Sequence, residues 1–125
     1  MTTHRTDQLL TILQEFFNPR EEGWLWLATY LEGQDGGVVM QFEGAYEDTA
    51  ATARGLSLVV ADGPADSYYL MLCRREGRPR ESDRELWRAL RANTEPDRLI
   101  DMVVFNRESA WSMRGEDAAA AAATA

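Results

Sequence analysis

The densest cluster of side chains in this sequence that could do chemistry falls between Leu72 and Glu85. Arg74, Arg75, Arg78, Arg80 and Arg84 crowd that segment, interleaved with Glu76, Glu81, Asp83 and Glu85; Cys73 opens it and Ser82 lies near its end. Guanidinium groups held close together can grip a carboxylate tail or a phosphate through paired N–H donors. The alternative is a solvated loop, partly neutralised by Glu76, Glu81 and Asp83. With a formal net charge of −8, this is the candidate anion- or partner-binding patch of the chain. Cys73, at a strand end beside arginines, is either a thiol of depressed pKa or an inert buried cysteine.

Counting residue types removes several chemistries. All 13 basic residues are arginine, so a lysine Schiff base or lysine nucleophile is excluded. Catalytic zinc usually takes three protein ligands, drawn largely from His and Cys. This chain has one histidine, His4, and one cysteine. No His-x-His, Cys-x-x-Cys or His-Glu-x-x-His can exist, and a Ser-His-Asp or Cys-His site would have to use His4. No metal site and no cofactor are expected.

A length of 125 residues with 45% hydrophobic and 27% charged residues suits one soluble domain with one core. We place that domain at 1–116. The acidic surface repels phosphate backbones, which argues against nucleic-acid binding. No apolar run approaches the roughly 20 residues that cross a bilayer, and the polar start shows no signal peptide. No membrane association and a cytoplasmic location are therefore expected. The single cysteine excludes an internal disulfide, which fits a reducing compartment.

The elements that must position these residues follow from periodicity. Thr6 to Phe17 carries Leu9, Leu10, Leu13, Phe16 and Phe17 at helical spacing, with Thr6 as its cap and Asn18-Pro19 as its stop. Trp24 to Tyr30 is apolar on both faces, as a central strand would be. Gly33 to Gly37 reads as a turn, and Val38 to Phe42 returns as the second half of a hairpin. A loop from Gly44 to Thr49 leads to a helix over Ala50 to Ala61, stopped by Asp62-Gly63-Pro64. Ser67 to Cys73 reads as a strand, Asp83 to Asn93 as a helix, Leu99 to Phe105 as a strand and Ala110 to Met113 as a last short strand. The order α-β-β-α-β-α-β-β predicts an α/β or α+β fold, a mixed sheet flanked by helices. Residues 117–125, almost all alanine, are expected to be a disordered tail.

This order and these spacings resemble the JAB/MPN domain, particularly its RadC type, over roughly Glu22 to Gly115. The resemblance implies a cytidine-deaminase-like sandwich. In that family a glutamate precedes the first strand, and a later strand ends in His-x-His-Pro-Ser-Gly. A Pro-x-Ser-x-x-Asp segment then opens a helix. Glu22 falls at the glutamate position, Arg54 at an arginine, Leu72 and Arg74 at the two histidines and Gly77 at the glycine. Ser82 and Glu85 fall at the serine and the third metal ligand, and Asp101 and Ser112 at a later aspartate and serine.

The departures decide what the resemblance implies. Leucine cannot coordinate a metal, and arginine carries a permanent charge that repels one. The zinc-activated water of the family is lost with its ligands. The implication is a pseudoenzyme that acts as a protein-binding or scaffold module, through a protein partner or through self-association. Glu22, Ser82 and Glu85 would be vestigial catalytic residues. Bland roles fit them too: Glu22 as a surface carboxylate beside Glu21, and Ser82 with Glu85 as a capping box at a helix start. Two further readings stay open. One is an enzyme or anion-binding protein that uses Glu22, Glu85 and the Arg74–Arg84 loop. The other is a RadC-like role in DNA repair, against which the charge speaks. Trp24, Trp26, Trp87 and Trp111 are expected as core or half-buried packing groups, or at a partner surface where exposed together.

Overall fold

The computed structural model describes residues 5–30, 39–43 and 48–124. Five strands form one mixed sheet: β1 (Leu25–Tyr30), β2 (Val39–Phe42), β3 (Ser67–Cys73), β4 (Leu99–Phe105) and β5 (Ala110–Ser112). Their spatial order is β2-β1-β3-β4-β5. β1 pairs antiparallel with both β2 and β3, β3 and β4 run parallel, and β5 returns antiparallel on β4. Four helices complete the fold: α1 (Arg5–Glu15), α2 (Thr49–Asp62), α3 (Glu81–Asn93) and α4 (Met113–Thr124). A parallel pair cannot be joined by a tight turn; α3 is the crossover between β3 and β4. The protein is thus α+β, with the mixed sheet flanked by helices.

Alternation along β1 explains the layering. Leu25 and Leu27 point to one face, where they join Leu56 and Val60 of α2 and Leu86, Trp87 and Leu90 of α3. Trp26 and Ala28 point to the other, with Met71, Cys73 and Phe105, and are covered by Leu9, Leu10, Leu13 and Phe17 on and just after α1. A strand apolar on both faces therefore sits between two cores, as its sequence predicts. The β1–β2 hairpin forms as expected, while its turn, Gly33 to Gly37, lies outside the described residues. So do His4 and most of the expected loop from Gly44 to Thr49.

Three expectations need correction. First, α3 begins at Glu81, two residues before the expected start, and its cap is not Ser82 with Glu85. Asp83, third in the helix, accepts the Arg80 backbone N–H at 2.9 Å. The side chains of Ser82 and Glu85 form no hydrogen bond or ion pair among the described residues, and Glu85 is exposed. Second, the alanine-rich segment is helical as far as Thr124, as part of α4. Alanine has the highest helix propensity of any residue, and contacts at the start of α4 supply the nucleus. Arg84 donates to Glu116 at 2.8 Å, and Asp117 accepts from Trp87 Nε1 at 2.7 Å and from Arg91 at 2.5 Å. Third, Trp111 is exposed rather than core or half-buried; it is 37% exposed, and its ring N–H donates to Glu116 at 2.6 Å. Trp26 and Trp87 are buried and Trp24 is half-buried.

Candidate functional site

Past the end of β3 the chain makes a tight excursion, residues 74–80, before α3 begins. Gly77 turns it with φ +67°, a left-handed conformation that glycine adopts without steric cost. A side chain at Gly77 would also collide with Ser109 Oγ and Asn106. Asn106 pins the excursion to the β4–β5 turn: its Nδ2 donates to the Arg75 carbonyl at 3.0 Å, and its Oδ1 accepts both Ser109 N–H and Oγ–H.

A second segment arrives from the N-terminal side. Asn18 caps a short 3-10 turn, Pro19–Glu21. Gly23 N–H then donates to the Cys73 carbonyl at 2.8 Å, and Cys73 N–H donates to the Trp24 carbonyl at 3.1 Å. These bonds continue the β1–β3 pairing beyond β1 and set Glu22 beside Arg74.

Arg74 is buried at 5% exposure and Asp83 is at 0%. The guanidinium meets the carboxylate side-on: Nε to Oδ2 at 3.0 Å and Nη2 to Oδ1 at 2.6 Å. The remaining Arg74 nitrogen, Nη1, lies 3.9 Å from Glu22 Oε1. Glu22 also pairs with Arg75 at 2.9 Å and with Arg80, and Arg80 Nε donates to Glu76 at 2.6 Å. The bond from Arg80 holds the Glu76 carboxyl below its ordinary value. Leu72, directly opposite Leu25 in the β1–β3 register, is fully buried.

Of the five arginines proposed as an anion patch, four are engaged within the chain: Arg74 by Asp83, Arg75 and Arg80 by Glu22, and Arg84 by Glu116. Arg78 is exposed and makes no ion pair among the described residues. The structure brings Glu22 and Arg74 together but does not bring Glu85 to them. Asp83 takes that place. Asp83 was missed because the helix was expected to begin at Asp83 itself; with the start at Glu81 it is an acid at the third helical position, where it can serve as a cap, and a buried arginine demands a carboxylate.

Burial, reinforced by Glu21 and Glu22, pushes the Cys73 thiol up to about 11 against the lowering effect of Arg74. Of the two possibilities for this cysteine, the structure has the inert one. Asp101 and Ser112 lie elsewhere: Ser112 Oγ donates to Asp101 Oδ2 at 2.5 Å and Arg114 N–H to Asp101 Oδ1 at 2.9 Å, which fastens the start of α4. Arg54 is exposed on α2.

The residues do not fit zinc. Leucine offers no donor, both edges of the Arg74 fork are directed at carboxylates, and among the described residues no three His, Cys, Asp or Glu side chains cluster as ligands. Among the same residues no helix is long and apolar enough to cross a membrane. Compared with protein-family models and with curated proteins, the chain matches none.

Proposed function

We propose that this chain is a non-catalytic binding module, a JAB/MPN-like domain of RadC type whose metal centre has been replaced by an ion pair. One observation supports the reading: Leu72 and Arg74, the residues that the resemblance sets at the two histidine positions, are both buried, and Arg74 is held by Asp83 beside Glu22. A catalytic water needs an open coordination position. On this reading no such position is left, because leucine offers no donor and the Arg74 guanidinium is already held by Asp83. Such a domain keeps a scaffold and acts through its surface, by holding a protein partner or a second copy. A cytoplasmic setting goes with this reading.

Metal analysis of the purified full-length chain tests it. Zinc far below one ion per chain is expected, and a stoichiometric ion that survives dialysis overturns the reading. The rival reading, an anion site on the Arg74–Arg84 loop, loses support because Arg74, Arg75, Arg80 and Arg84 already hold carboxylates of the same chain.

A further inference from the structure

A helix packed on a sheet normally turns charged and polar side chains to water. α3 does so, exposing Glu81, Glu85, Arg88 and Arg91. α2 does not. Ala53, Leu56 and Val60 face the core, and the opposite face exposes Ala51, Arg54, Gly55, Leu58, Ala61 and Asp62. Leu58 is 64% exposed at the centre of that face. It also borders a recess of about 330 Å³, lined with Arg54, Ser57, Ala61 and Asn93. Ser57 is buried there, and its hydroxyl has no hydrogen-bond partner among the described residues.

The charges on this face are arranged around Leu58. Arg54 lies four residues before it and Asp62 four after, all three in one helical row. Both charged residues are exposed, and neither forms an ion pair among the described residues. Asp62 is the last residue of α2, where the helix dipole disfavours a carboxylate. A cation supplied from outside would relieve both problems.

The geometry points to a second copy of this chain as the occupant: two α2 helices packed antiparallel about a two-fold axis at Leu58. That symmetry sets Leu58 against Leu58 once, on the axis, and Gly55 against Ala61 and Arg54 against Asp62 twice each. Gly55 has open space where a Cβ would stand, so the partner backbone can approach closely. The recess beside Leu58 receives the partner's leucine. α2 has 14 residues, and one face of a helix that short covers less than the ~800 Å² per partner of a standard interface. The dimer is therefore weak and reversible. The inference supplies a partner for the binding-module reading and rests on that reading for its role.

Sedimentation of the full-length chain from about 10 μM to about 1 mM tests it. The wild-type mass is expected to rise toward twice the monomer. Leu58→Glu should remain monomeric throughout. Arg54→Asp and Asp62→Arg, each alone, should weaken association by about tenfold or more, because like charges then face each other. The double swap, Arg54→Asp with Asp62→Arg, should restore it. These positions are exposed, and unchanged circular dichroism confirms that the variants fold. A wild type that stays monomeric overturns the proposal, as does a dimer indifferent to these substitutions. A zinc-free monomer refutes this surface and leaves the binding-module reading standing; a zinc-loaded dimer does the reverse.

Discussion

The Arg74 guanidinium lies flat against the Asp83 carboxylate in a bidentate pair that is almost wholly withdrawn from solvent. Removing one partner of such a pair leaves a bare charge in a low-dielectric interior. Asp83→Ala should therefore cost about 3–5 kcal/mol of unfolding free energy. Arg74→Met combined with Asp83→Leu should cost much less, because buried ion pairs replaced by apolar groups are often neutral. A residue of ~1 kcal/mol should remain from the lost cap on the Arg80 N–H. Urea denaturation of the two variants checks both values, and equal destabilisation would refute the account.

Glu22 is the hub of the outer network, yet its partners Arg75 and Arg80 are largely in water, with side chains 66% and 45% exposed. Glu22→Gln should accordingly change stability by less than about 1 kcal/mol, and the difference should shrink as salt is added. A loss several times larger would mean that Glu22 chiefly compensates Arg74.

Cys73 carries a prediction at high pH. Its thiol titrates near 11 in the folded chain, above its ordinary value of 9.0. A group whose pKa is raised by folding contributes its stability below the unfolded value and loses it as pH rises toward the folded one. Unfolding free energy should fall between pH 9 and 11, by on the order of 2 kcal/mol from this residue. Cys73→Ala should show a shallower decline over the same range. Iodoacetamide at neutral pH should label the native chain far more slowly than the denatured one.

Glu76 and Glu116 predict the acid side. Arg80 and Arg84 respectively hold the two carboxyls below their ordinary value of 4.5. Depressed carboxylates contribute stability above their unfolded value and lose it as pH falls through the folded one. Stability should thus begin to fall as the pH drops below about 4.5. Glu76→Gln with Glu116→Gln should flatten that slope, as followed by the urea midpoint at successive pH values.

The start of α4 can be tested by truncation. Asp117 accepts the ring N–H of Trp87, a residue 1% exposed. Asp117→Ala leaves that donor unpaired and should cost about 1–3 kcal/mol. A chain ending at Asp117 should keep most of its stability, whereas one ending at Gly115 should lose at least as much as Asp117→Ala. Equal stability of the two truncations would make the contact irrelevant to folding.

Much of the scaffold was legible without coordinates. The double-faced apolar run at Trp24 to Tyr30 places β1 inside the sheet, and the 3.6-residue rhythm of Leu86, Trp87 and Leu90 places α3 on it. Local pattern suffices there, because burial of a strand or stripe is written in neighbouring residues. Glu22 and Arg74 were also marked, through the positions that the family resemblance assigns them. The cap of α3, the helical end of the chain and the internal engagement of the arginines were not marked. The cap is local, Asp83 with Arg80, and was missed because the helix starts two residues earlier than its apolar pattern suggests; the other two depend on contacts between residues that sequence order keeps apart: Arg74 with Asp83, Arg80 with Glu22, and Trp87 with Asp117.

The sequence by itself determined which side chains exist to do chemistry: one histidine, one cysteine and no lysine, with leucine and arginine at the two histidine positions of the resemblance. Composition and periodicity are properties of the chain alone. Only the tertiary structure decided how the charges were used, since a guanidinium in sequence is free to meet solvent, ligand or carboxylate. Burial of Arg74 removes water as a partner, and the crossover of α3 delivers Asp83 to it.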